Sequence, residues 1–117
     1  MGLRLVANPT FKGHADITVA DEEKPQRINV VWKHKTLKQV TAWFEANKAR
    51  TSAESMVEII DSWDGPTDED DQPVPFDIDA LEQLLDTHPA SGGELVAAWL
   101  EQLTESRIKN SKALPGN

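Results

Sequence analysis

The stretch AESMVEIIDSWDGPTDEDDQPVPFDIDALEQLL, Ala53 to Leu85, decides how the rest of the chain is read. Met56, Val57, Ile60 and Trp63 recur at the spacing of one helix face, with Glu54, Glu58 and Asp61 left on the outside. Thr51 and Glu54 have the spacing of a capping box, so a helix is expected to start there and run through Trp63. Gly65, Pro66, Pro73 and Pro75 cannot continue it, and the carboxylates among them repel one another. Residues 64–76 are therefore expected as an acidic loop, solvated and extended, serving as a hinge or an arm. Asp77 then caps a further helix whose Leu81, Leu84 and Leu85 face inward, with Phe76 placed to staple onto Leu81 and His88-Pro89 as its end.

Upstream, Leu3, Leu5 and Phe11 suggest a short leading strand or an extended arm, broken at Asn8-Pro9. Alternation predicts two half-buried strands: Asp16 to Ala20, with Ile17 and Val19 on one face, and Arg27 to Lys33, with Ile28, Val30 and Trp32 on one face. Asp21 to Gln26 would join them as an exposed hairpin loop. Thr36 and Gln39 form a capping box for a helix whose inner face is Leu37, Val40, Trp43 and Phe44, with Lys48 and Arg50 near its end, where cations suit the helix dipole. Downstream, Ser91 with Glu94 is expected to open the last helix, which carries Leu95, Val96, Trp99, Leu100, Leu103 and Ile108. Residues 111–117 read as a flexible tail.

Strands first and helices after give an α+β domain over residues 1–110: a small N-terminal antiparallel hairpin or sheet packed against about four C-terminal helices. Its predicted core is Ile28, Val30, Trp32, Val40, Trp43, Met56, Ile60, Trp63, Leu81, Leu85, Leu95, Trp99 and Leu103. All four tryptophans fall in phase with buried stripes. Trp99 is the one to watch, because its helix is apolar over a wide arc and part of that arc could face a partner.

Twenty acidic residues against twelve basic ones leave a net charge of −8, and Asp61 to Asp79 holds eight acids and no base. Such a surface repels nucleic acid and anionic membranes, unless the acidic segment itself mimics a polyanion. The absence of cysteine removes disulfide scaffolds, thiolate zinc sites and cysteine nucleophiles. No apolar run approaches a membrane span, and Met1 to Asn8 is too short for a signal-peptide core, so the chain reads as soluble and unexported.

The acidic run lacks the turn glycine and the final glutamate of a calcium loop: Asp79 falls where that glutamate would stand. His14, His34 and His88 show no second metal ligand at helical spacing and read as surface or edge histidines. Ser91-Gly92-Gly93 could form an anion nest, but no phosphate-loop lysine follows, and there is no nucleophile elbow. The expectation is no enzyme, no cofactor and no metal.

One set of residues carries a family likeness. The run Met56 to Asp64, a leucine-pair helix around Leu81 to Leu85, His88-Pro89, Leu100 to Leu103 and Arg107-Ile108-Lys109-Asn110 resembles, in that order, the tail assembly chaperones of long-tailed bacteriophages. So does the basic turn Lys33 to Thr36 at the end of the sheet segment. The likeness covers roughly residues 11 to 110 as an ordered set of motifs. The chain departs from it in the long acidic loop Gly65 to Val74 and in Trp99, where the family has a tyrosine-like aromatic.

The resemblance implies a non-enzymatic assembly factor in the cytoplasm of the bacterial host. It would coat the tape measure protein and hold it soluble while tail-tube protein polymerises, and would be absent from the virion. Relatives are often made also as a frameshifted longer form, and self-association on the target is a further expectation. Within the last helix, Leu95, Trp99 and Leu103 are expected to face the core, leaving Leu100 and Arg107 as candidate partner contacts. Two alternatives stay open: an acidic inhibitor that mimics nucleic acid, and a small host adaptor domain.

Overall fold

The computed structural model describes residues 3–48 and 51–105. In chain order the elements are β1 (Thr10–Ile17), β2 (Gln26–Lys33), α1 (Leu37–Asn47), α2 (Ala53–Met56), β3 (Ile60–Asp64), α3 (Ile78–Thr87) and α4 (Ser91–Thr104). The strands form one antiparallel sheet in the order β1-β2-β3, with β2 in the centre. The architecture is α+β, and the helices cover one face of the sheet.

The sheet differs from its sequence pattern in two places. β1 ends at Ile17, near where a strand was expected to begin, and Thr18 to Ala20 lead into the hairpin instead. Its inward residues Phe11, Gly13 and Ala15 oppose Trp32, Val30 and Ile28. Two of the three are small because α4 lies directly on them. A β-carbon at Gly13 would collide with the Gln102 side-chain oxygen and the Trp32 indole. The face is buried without reading as apolar. Leu3 and Leu5 form no strand among the described residues and are almost fully exposed.

The second difference lies in the central stretch. The helix expected to run from Thr51 to Trp63 is only α2, capped by Ser52 rather than Thr51, with the Ser52 hydroxyl accepting from the Ser55 N–H. The chain then turns and enters β3 as a third strand. Register shows why the pattern resembled a helix. Trp32 opposes Ile60, Val31 opposes Ser62 and Val30 opposes Trp63, so Asp61 is an extra residue in a β-bulge. The bulge puts Ile60 and Trp63 on the same face although they are three apart, the spacing of a helix stripe. Ile59, off that stripe, is fully buried, and its carbonyl accepts from the Lys33 N–H at 2.8 Å.

Of the predicted core residues, Ile28, Val30, Trp32, Trp43, Met56, Ile60, Leu81, Leu95 and Trp99 are buried, while Val40, Trp63, Leu85 and Leu103 pack half-buried against them. Ala15, Ile17, Ala53 and Ile59 complete the cluster. Leu37, placed on the inner face by its spacing, is 83% exposed, because the first turn of α1 extends beyond the packed surface.

Capping follows the sequence in two helices. Thr36 and Gln39 make both bonds of the capping box on α1, and Asp77 accepts from the Ala80 N–H at the start of α3. At α4 it departs. Ser91 is the first helical residue rather than the cap and is fully buried, its hydroxyl donating to the Leu84 carbonyl at 3.3 Å. Gly92 is buried against Thr51, with no room for a side chain. Glu94 accepts from the Thr18 N–H at 2.9 Å and from the Thr18 hydroxyl, tying α4 to the end of β1.

All four indole N–H groups find an acceptor on another element or segment. Trp32 donates to Gln102, Trp43 to the Ser55 carbonyl, Trp63 to the Val74 carbonyl and Trp99 to the Lys33 carbonyl, at 2.8 to 3.0 Å. Gln102 has the most partners of these acceptors. Its side-chain oxygen also takes the His14 N–H, and its amide nitrogen donates to the His14 carbonyl. Replacing it by leucine, Gln102→Leu, would strand three polar groups in a part-buried site. A loss of about 2 kcal/mol is expected, read as a lower denaturant midpoint followed by tryptophan fluorescence.

Candidate partner-binding surface

Beyond β3 the backbone reverses into a closed hairpin, not the extended arm that its charge suggested. Gly65 has φ 140°, and a side chain there would press on Ile28. The Val74 N–H donates to the Pro66 carbonyl at 3.0 Å, Thr67 bridges to Pro73, and the Asp68 N–H donates to the Gln72 carbonyl at 2.9 Å. The Asp68 carboxylate accepts from the Asp70 and Gln72 N–H groups at 2.8 and 3.0 Å, and Asp71 takes up φ 59°. Self-repulsion among exposed carboxylates is weak in water, whereas an aspartate that bonds the backbone two residues on is a strong local turn former. The turn prevails.

Trp63 fastens this hairpin to the body. Its indole N–H holds the Val74 carbonyl, and its ring meets Phe76 edge to face at 5.0 Å. Phe76 was expected on Leu81; its ring contact is with Trp63. Between the hairpin and α3 lies a cleft of about 300 Å³ lined by Trp63, Asp68, Glu69, Val74, Leu84 and His88 among others. Asp68 and Glu69 on its lining are exposed, as are Asp70 and Asp71 at the hairpin tip.

The candidate contacts on α4 are placed differently. Trp99 is fully buried, with its ring against Trp43 at 5.6 Å, so no part of it faces outward. Leu100 is half-buried and packs on the core. Arg107, like Arg50, Ile108 and the 111–117 tail, lies outside the described residues. Among the described residues, the large apolar side chains most open to solvent are Leu3, Leu5, Val6 and Leu37. Of the histidines, His88 caps the end of α3 and lines the cleft, while the backbone of His14 is held by Gln102. Among the described residues no group of three or more His, Asp or Glu is placed to hold a metal ion.

On the outer face of the sheet Arg27 and Asp16 pair across β1 and β2 at 2.8 Å. Hydrogen bonding from the guanidinium holds the Asp16 carboxyl below its ordinary value. A carboxyl depressed on folding stabilises the fold above its unfolded pKa, and that contribution is lost as the pH falls through the folded value.

These features describe a small α+β domain whose outward equipment is a sheet edge, a cleft and charged or apolar surface. The chain matches the model of the phage tail assembly chaperone family over residues 1–110, and it belongs to that family. No curated protein and no solved structure matches it.

Two outcomes are expected. Trp63→Phe keeps a ring against Phe76 but removes the indole N–H, so it should cost about 1 kcal/mol and speed amide exchange at Asp68 and Val74 more than in β2. In the Arg27→Met variant, the Asp16 carboxyl should titrate at higher pH than in the parent chain, followed by carbon NMR of that side chain.

Proposed function

We propose that the chain binds the tape measure protein of its phage and keeps it soluble in the cytoplasm of the bacterial host until tail-tube subunits assemble around it. It would leave before the virion is complete. The observation that carries this reading is the family match over residues 1–110. The surface is compatible with it: Leu3 and Leu5 are 95% and 98% exposed, while a net charge of −8 favours solubility of a complex. Individually weak contacts repeated along one long chain would add through multivalency.

Co-expression with the cognate tape measure protein tests it. The partner should move from the pellet to the supernatant and co-purify with the chaperone. Retention of the complex at 1 M salt, where screening acts within roughly 3 Å, would favour apolar capture over nucleic-acid mimicry. If the tape measure protein stays in the pellet, the reading fails. Leu100→Asp is a poor probe of contact, because a charge at a half-buried residue would cost stability first.

A further inference from the structure

The two edges of the sheet are treated differently by the fold. β1 is closed off by α4: Gln102 bonds both backbone groups of His14, and Glu94 takes the Thr18 N–H. The same bonds establish the hydrogen-bond phase of the whole sheet. His14 uses its N–H and C=O on Gln102, so it does not exchange them with Asn29, its opposite number on β2. In an antiparallel ladder bonded and non-bonded pairs alternate, so the odd-numbered residues of β2 turn toward β3. The Lys33 N–H bonded to the Ile59 carbonyl agrees with this phase. Asn29 with Asp64 and Val31 with Ser62 are then the bonded pairs, and the Trp63 N–H and C=O point outward. Among the described residues no other backbone bond reaches that side of β3.

We infer that the outer edge of β3 is a docking site for an extended segment of another protein that carries lysine or arginine, added as a fourth strand. Side chains of an added strand alternate between the two faces of a sheet. Each face offers a recess beside Trp63. On the helix side lies the cleft of about 300 Å³ walled by Trp63, Val74 and Leu84, with Asp68 and Glu69 at its lip. On the open side lies one of about 380 Å³ that spans all three strands, lined by Lys12, Asn29, Val31, Ser62 and Asp64, with its carboxylate on the β3 side and its lysine on the far side.

Charge selects the occupant. A second copy pairing β3 on β3 would bring together two segments that each hold eight acids and no base between Asp61 and Asp79. A basic strand meets Asp61, Asp64 and the exposed loop carboxylates favourably. The inference deepens the tape measure reading, and rests on it only for which protein carries the segment.

The full chain can be titrated with a synthetic alternating lysine–valine heptapeptide, with a glutamate–valine peptide as control, while amide exchange is read by NMR. The basic peptide should slow exchange at Trp63 at least tenfold and leave the His14 amide unchanged. The acidic peptide, and a basic peptide N-methylated on alternate residues, should leave both amides unchanged. The folded variant Asp61→Lys/Asp64→Lys should lose at least tenfold in affinity. Protection of Trp63 before any peptide is added, or equal binding of the acidic peptide, would overturn the inference. Co-purification with the tape measure protein decides the other question separately. If the unmutated chain captures that protein and the double variant does so equally well, the edge is not the contact and the chaperone reading stands; if the unmutated chain captures nothing, the chaperone reading fails whatever the peptides do.

Discussion

Each indole in this fold must find an acceptor for its N–H, because a buried donor left without one costs more than the ring gains from marginally better packing. Trp32, Trp43, Trp63 and Trp99 each meet the requirement on a different partner: Gln102 on α4, the backbone of α2, the hairpin after β3 and the end of β2. These bonds therefore fix relative position as well as burial. With three strands and short helices in one small core, directional bonds of this kind decide which helix sits over which strand.

The strongest expression of this is the contact between α4 and β1. Gly13 removes a side chain so that Gln102 can reach the strand, and Gln102 then satisfies the strand edge and the Trp32 indole together. Glu94 repeats the device near the other end of the strand. An edge strand with free backbone groups invites unwanted pairing, and a covering helix removes that liability. β3 is short, bulged and acidic instead, which discourages pairing with its own kind while leaving the edge accessible to a strand of opposite charge. In this member of the tail assembly chaperone family the two edges are thus managed differently, one closed by a helix and the other guarded by charge.

What the sequence by itself determined is local. The Thr36–Gln39 box, the Asp77 cap and the alternation through Ile28, Val30 and Trp32 depend on groups a few residues apart, so the chemistry is complete within the segment. The ordered motifs around Trp63, Leu81 to Leu85 and His88-Pro89 also pointed to the family. Tertiary structure alone decided the rest. Whether Val57 to Trp63 would wind as a helix or extend depended on β2 having an unpaired edge, and the Asp61 bulge reproduces helix spacing within a strand. Gly13 and Ala15 hid a buried face behind small residues whose reason lies on α4, nearly ninety residues on, with 88 separating His14 from Gln102. Ser91 and Glu94, read as a cap, serve instead as a buried bond to α3 and a tie to β1. Long-range partners compete with local ones for the same donors and acceptors, and only the packed chain decides which of them wins.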